Sequence, residues 1–311
     1  MNTTITGLHH ITAIASDPKR NLEFYTKILG LRFVKKSVNQ DDPGTYHLYY
    51  GDYAASPGTI MTFFPWAGIA RGRPGTGQAY ATAFSVPFGS LSFWREHLTK
   101  LGIPHGNTEL RFNDEVLTLN DPDGLHLELI ATMETDLRSP APSAGVPAEF
   151  AIRGFHSSTL AFKNDQPTAD LLVNGMSYML VGKSGHRARY TIGAGGPGTY
   201  VDLLTEPSLP RGINGAGTVH HIAFRIADDD NQAAAQARLQ QRGLGVSPVI
   251  DRAYFKSIYY REPGGVLFEI ATDGPGFAID EALAELGTKL SLPPRLEPQR
   301  REIEAALPPL R

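Results

Sequence analysis

The sequence predicts an α+β protein made of four copies of one unit, a strand, a helix and about three further strands, set in two tandem domains. Three observations predict it. Gly7 to Asp17 (GLHHITAIASD) and Thr218 to Asp228 (TVHHIAFRIAD) match position for position, each with a His-His pair opening a strand and an Asp seven residues after the second His. Four Pro/Gly turns recur, each feeding a short apolar strand: Ser56-Pro57-Gly58, Asp121-Pro122-Asp123-Gly124, Gly196-Pro197-Gly198 and Glu262-Pro263-Gly264-Gly265. A Pro/Ala/Ser stretch, SPAPSAGVPAE from Ser139, divides the chain.

The elements follow in order. After Asp17 come Pro18, an apolar helical pattern (Leu22, Tyr25, Leu29) and Gly30, the punctuation of a capped helix. Weaker copies open at Gln78–Pro87 and Phe155–Asn164, with helices from about Ser90 to Leu101 and Pro167 to Val173. The fourth copy carries a helix over Ala233 to Arg242, closed by Gly243. The expected domains are 1–138 (copies one and two), a linker at 139–150, 151–290 (copies three and four) and a Pro- and Arg-rich tail at 291–311 with no assigned role.

Composition narrows the function. Hydrophobic residues at 41% and charged residues at 20% suit a packed core. The lack of cysteine excludes disulfides, zinc-thiolate sites and thiol nucleophiles. A net charge of −3 without a basic run argues against nucleic acid and anionic membranes, and no apolar stretch approaches a membrane span. The N-terminus lacks the features of a secretory signal, so a soluble cytoplasmic protein is expected, with homo-oligomerisation open.

Aligning the copies locates the chemistry. At the second His of the opening strand they read His10, Ala81, Ser157 and His221, and at the closing strand Phe63, Glu128, Leu203 and Glu269. Copies one and four thus supply His10, His221 and Glu269 as candidate metal ligands, whereas copies two and three cannot hold an ion. Glu269 sits in the apolar run VLFEIA, where a buried carboxylate is costly unless paired or bound to a metal. Two imidazoles and one carboxylate form the facial triad that leaves positions open on Fe(II). A lone His is ordinarily a packed or surface residue; its repetition at one place in two copies argues for ligands. Glu128 is read as a relic or a structural ion pair, and His97, His105, His126 and His186 as surface residues. Trp66 and Trp94 are read as packing. Gly182-Lys183-Ser184 lacks the first glycine of a phosphate loop, and GAGGPG at Gly193 is read as a turn.

LHHIT, FYTKILGLR, YHLYYGD, PGTIMTFFPW, VHHIAFR and DRAYFKSIYYREPGGVLFEIATD together resemble the ring-cleaving dioxygenases of the glyoxalase/bleomycin-resistance/dioxygenase (vicinal oxygen chelate) superfamily, the hydroquinone-type 1,2-dioxygenases above all. The resemblance implies paired βαβββ modules with cup-shaped mixed sheets, and Fe(II), or Mn(II), at His10, His221 and Glu269; Zn or Ni could occupy such a site in a purified sample. It implies O2 and a dihydroxylated aromatic as reactants. It also implies supporting roles for His9, His220, Thr12, Arg252 and Tyr259, with His220 the acid–base residue. Period-two geometry turns His9 and His220 away from the ligands unless the strands bend there. Phe63 at the fourth-ligand place of glyoxalase I, and Ser157 where catechol-type extradiol enzymes take their first His, favour the hydroquinone type. An oxygen-independent isomerase or lyase of the same superfamily and a non-catalytic aromatic- or quinone-binding protein are the alternatives.

Overall fold

The computed structural model describes residues 5–310, so the outermost ends of the expected domains, residues 1–4 and 311, lie outside the described residues. The first module comprises β1 (Gly7–Ala15), α1 (Pro18–Glu23), β2 (Arg32–Val38), β3 (Tyr46–Gly51) and β4 (Ile60–Pro65). The second has β5 (Gln78–Pro87), α2 (Leu91–Lys100), β6 (Glu109–Arg111), β7 (Asp114–Asn120) and β8 (His126–Thr132). The third has β9 (Gly154–Phe162), α3 (Gln166–Asp170), β10 (Met179–Ser184), β11 (Arg187–Thr191) and β12 (Tyr200–Thr205). The fourth has β13 (Thr218–Ile226), α4 (Asp229–Gln241), β14 (Ile250–Asp251), β15 (Lys256–Arg261) and β16 (Leu267–Thr272).

Local chemistry accounts for the helix starts. The Asp17 carboxylate accepts from the Arg20 amide and the Asp228 carboxylate from the Asn231 amide, satisfying amides that have no partner within the helix. Between α1 and β2 the helix widens into a π turn over Phe24–Ile28. Gly30, at φ +72°, then reverses the chain.

The modules form two eight-stranded mixed sheets, ordered β14-β15-β16-β13-β1-β4-β3-β2 and β10-β11-β12-β9-β5-β8-β7-β6. The four-module α+β architecture is the expected one, but the sheets cross the division at 139–150. Module one pairs with module four through antiparallel β1 and β13, and module two with module three through β5 and β9. The halves 1–138 and 151–290 are therefore not the units of sheet formation, because each module's first strand finds its partner across the linker. That linker has no regular structure, yet Ala141 and Val146 are buried and Trp94 donates its indole N–H to the Phe150 carbonyl at 2.9 Å.

The Pro/Gly turns tie the sheets together beside the His-His segment. The Leu8 amide donates to the Gly198 carbonyl (2.8 Å), the Phe155 amide to the Gly58 carbonyl (2.9 Å), and the Gly58 amide to the His9 carbonyl (2.7 Å). Arg138 closes the junction, donating to the Gly58 and Phe155 carbonyls at 3.0 and 2.8 Å. After β16 the chain returns along the free edge of β2. The Ser291 amide donates to the Lys36 carbonyl (2.9 Å), and buried Lys35 pairs with Asp280 (2.6 Å) and Glu281 (2.5 Å). This covers an edge that would otherwise be a free hydrogen-bonding row. Gly182-Lys183-Ser184 falls within edge strand β10 rather than in a loop that could wrap a phosphate. No helix among the described residues is long and apolar enough to cross a membrane.

Gly7 is held at φ +139°, and a Cβ there would lie 2.6 Å from the Gly198 carbonyl oxygen. Gly7→Ala should therefore lower the unfolding free energy by about 2 kcal/mol in urea titration. Gly182→Ala, with nothing within 4 Å of the added carbon, should stay within about 0.5 kcal/mol.

Candidate metal centre

The centre lies where the two modules of the first sheet meet. β1 and β13 run antiparallel with Thr12 opposite His221 and His10 opposite Ala223, and parallel β16 places Glu269 beside Ala223. His10 Nε2 is 3.3 Å from Glu269 Oε2, His221 Nε2 is 3.0 Å from the same oxygen, and the two Nε2 atoms are 3.3 Å apart. All three residues are buried, and Glu269 Oε2 has no partner in hydrogen-bond geometry. Three donor atoms converging at one point, one a buried carboxylate oxygen left without a hydrogen bond, fit a divalent cation. Burial pushes the Glu269 pKa up, but the flanking His10 and His221 outweigh it and hold the carboxyl well below its usual range. Its other oxygen, Oε1, accepts from Ser257 Oγ. His10, His221 and Glu269 are the only group of this kind among the described residues.

The bend that His9 and His220 need is present. Between Leu8 and His10, β1 holds one residue more than its partner, and β13 does the same across His220, so each neighbour is the extra residue of a bulge. Each bulge turns the pair inward: His9 Nδ1 lies 2.9 Å from His10 Nδ1, and His220 Nδ1 2.8 Å from His221 Nδ1. A ligand using Nε2 must carry its proton on Nδ1, so each outer histidine accepts there and keeps its own proton on Nε2. Burial and the adjacent His10 push His9 down to about 3, and burial and the adjacent His221 do the same for His220. Both enter as neutral imidazoles. The pair is not equivalent: His220 lines the cavity, whereas His9 is buried behind His10.

A cavity of about 620 Å³ opens over the triad. Arg252 and Tyr259 stand on its wall, with Arg252 Nε donating to the Tyr259 hydroxyl at 3.1 Å. Burial raises the Tyr259 phenol, which enters protonated. Thr12 does not reach the cavity; its hydroxyl meets that of Thr62 at 2.8 Å. The structure adds residues that the sequence reading passed over: His47, Tyr49, Phe64 and Phe255 on the wall, and Ile279 and Leu292 from the returning chain. Trp66 lines the cavity too, with its indole N–H on Asp42 at 2.8 Å, so it is more than packing, whereas Trp94 is core.

The strand register also corrects the alignment of the copies. Glu269 lies beside the residue two after His221, and the same place holds Thr62 in module one, Glu128 in module two and Asp202 in module three. Phe63 and Leu203 are one residue late and point into the core cluster, since a one-residue slip changes the face of a strand. The modules can be matched further: Tyr49 opposite Thr62 corresponds to Tyr259 opposite Glu269. His47-Leu48-Tyr49 and Ser257-Ile258-Tyr259 carried that signal.

Residues 7–129 and 170–270 match the family model described as Glyoxalase/Bleomycin resistance protein/Dioxygenase superfamily. The chain belongs to this superfamily. It is 48% identical over 303 residues to "Putative ring-cleaving dioxygenase MhqO" of Bacillus subtilis, covering 97% of this chain and 96% of that protein. It is 37% identical over 308 residues to "Chlorohydroquinone/hydroquinone 1,2-dioxygenase" of Sphingobium indicum, covering 96% and 95%. The crystal structure of a putative dioxygenase from Bacillus subtilis superposes with a TM-score of 0.94 at 47% identity, covering 99% of both chains. Glyoxalase I from Zea mays, at 13% identity, a TM-score of 0.65 and 86% and 92% coverage, shares the fold.

In the second cup the acids at the equivalent positions are held in ion pairs. Arg111 grips both oxygens of Glu128 at 2.8 and 2.9 Å. Arg189 bridges Asp202 (2.9 Å) and Asp114 (2.7 Å), and buried His156 lies 3.6 Å from Asp114. Ala81 and Ser157 replace the histidines. Glu128 is thus a structural ion pair. His97 is no free surface residue either, since its Nε2 meets the Ile28 carbonyl at 2.9 Å.

Two outcomes are expected. His9, His156 and His220 are all held below 6.5 chiefly by burial, so the unfolded chain binds protons that the fold refuses. Metal-free protein should keep its full stability above about pH 7 and lose it as pH falls from about 6.5 toward 3. A urea midpoint unchanged between about pH 7 and 5 would contradict this. His9→Leu should weaken metal binding by about 10- to 100-fold in chelator competition, because His10 loses the acceptor that fixes its tautomer.

Proposed function

We propose that the protein is an Fe(II)-dependent, extradiol-type ring-cleaving dioxygenase, acting with O2 on a hydroquinone or related dihydroxylated aromatic. The observation that carries this reading is the buried His10-His221-Glu269 group at the floor of an aromatic-lined cavity, with only three protein donors and therefore room for exogenous ligands. The names of the two relatives support the reaction class and, for the Sphingobium indicum enzyme, the substrate class.

A bound Fe(II) would supply Lewis acidity toward an aromatic hydroxyl and a redox link to oxygen. The chain's own residues do the rest. Phe64, Phe255 and Trp66 offer faces and edges for a flat ring and exclude water around it. His220, neutral and on the cavity wall, presents its Nε2 proton to a substrate oxygen or passes it on. Tyr259, protonated and held by Arg252, donates a second hydrogen bond. The Arg252 guanidinium places a fixed positive charge where negative charge gathers on the substrate. His9 and Thr12 act from behind, through His10 and Thr62.

Oxygen consumption by anaerobically Fe(II)-loaded protein, with a panel of hydroquinones and catechols, tests this. Stoichiometric uptake that is abolished in Glu269→Ala is expected. No uptake across the panel with metal bound would overturn the reading in favour of the oxygen-independent members. His220→Ala should lower turnover by about 10²- to 10⁴-fold and leave metal content intact; equal loss of both would make His220 structural.

A further inference from the structure

The cavity wall carries a buried polar chain that runs on from the Thr12–Thr62 pair through His47 to Tyr49. Thr12 Oγ1 meets Thr62 Oγ1 at 2.8 Å, Thr62 Oγ1 meets His47 Nε2 at 2.8 Å, and His47 Nδ1 meets the Tyr49 hydroxyl at 2.7 Å. His47 is also fixed as a plane, with its ring 4.0 Å from that of Tyr49 and 4.4 Å from that of Phe64. Both its nitrogens are spent on hydroxyls, so its side chain serves to hold others. His47 and Tyr49 line the cavity over the triad, and the Tyr49 hydroxyl has no hydrogen-bond partner other than His47 among the described residues.

The position of Tyr49 is not accidental in the fold. In the strand register Tyr49 lies opposite Thr62 as Tyr259 lies opposite Glu269, so the two tyrosines are equivalent residues of modules one and four and both face the shared cavity. Where module four has the ligand Glu269, module one has Thr62, a hydroxyl that anchors His47 instead. Where module four has Ser257, module one has His47. Module one thus lacks the carboxylate, and its Thr62 and His47 hold the phenol of Tyr49 instead.

We propose that Tyr49 is a substrate-contacting residue, binding the ring oxygen that the metal does not hold, and that His47 and Thr62 are its positioning residues. This rests on the reading of the cavity as the site of a dihydroxylated ring. A neutral imidazole has one donor and one acceptor, so the chain runs in one of two directions. If His47 donates to Tyr49, the phenol proton is left for a substrate oxygen. If Tyr49 donates to His47, the phenol lone pairs are left for a substrate O–H. In either direction Tyr49 retains one hydrogen-bonding capacity toward the cavity, and each bond in the chain polarises the next. Burial, reinforced by the nearby His10 and His221, holds His47 well below its usual range, in keeping with the neutral form. A ring with two oxygens can then bridge the metal and Tyr49, whereas a ring with one cannot.

The test is anaerobic equilibrium binding of hydroquinone and of phenol to the metal-loaded protein, which needs no turnover. Wild type should prefer hydroquinone. In Tyr49→Phe that preference should shrink by roughly three- to tenfold, the worth of one net hydrogen bond, through weaker hydroquinone binding with phenol binding and metal content unchanged. His47→Leu should shift the ratio in the same direction, and His47→Gln, which keeps a donor and an acceptor, should restore part of it. A wild-type ratio in Tyr49→Phe would overturn the proposal, as would a wild type that fails to prefer hydroquinone or fails to bind it. Collapse of the ratio in Tyr259→Phe alone would place the second oxygen on the other wall and overturn it too. Oxygen uptake with an unchanged ratio refutes only the role of Tyr49. A Tyr49-dependent ratio without uptake refutes only ring cleavage.

Discussion

The structure depends on the burial of one carboxylate. Glu269 lies within the apolar run of β16, fully inaccessible, with one oxygen on Ser257 and the other facing two imidazole nitrogens. An isolated buried carboxylate costs several kcal/mol. Here it faces His10 and His221, which arrive from two different modules, and the three donors fit a cation that would offset the cost. That requirement explains why β1 and β13 must pair across the whole length of the chain, and why glycine stands at position 7, where the second sheet presses on the segment leading to the ligands.

The same constraint explains the difference between the cups. Each places an acid at the position equivalent to Glu269 or has replaced it: Thr62 in module one, Glu128 and Asp202 in modules two and three. The second cup keeps two acids without histidines, and arginines neutralise them in place. Such pairs are weak evidence for stability, because desolvation consumes most of the attraction. They do leave no convergent lone pairs for a cation. The first cup keeps its acid only in module four, and the freed wall of module one carries the hydroxyl–imidazole chain.

Much of this was legible in the sequence where the chemistry repeats. The paired HH openings and the Pro/Gly turns disclose the modules, and aligning the copies picks out His10, His221 and Glu269, which the fold brings together. Around Glu269 the strand alternates, with Phe268 and Ile270 entering the core and Leu267 facing the cavity. What escaped depends on register. Phe63 and Leu203 were matched to Glu269 by counting from turns of unequal length, and a slip of one residue exchanges faces. The bulges at His9 and His220 have no composition of their own, since only the pairing of two distant strands shows the extra residue. Ile279 and Leu292 belong to a return segment without repeat or periodicity, and its docking along β2 rests on Lys35, Ser37 and Ser291.

The most direct measurement is anomalous diffraction at the Mn edge from crystals grown with Mn(II). The account predicts one strong peak bonded to His10 Nε2, His221 Nε2 and Glu269 Oε2 at about 2.0–2.3 Å, typical of first-row ions on such donors, and none in the second cup. A peak among Glu128, Asp202 and Asp114, or none at Glu269, would contradict it.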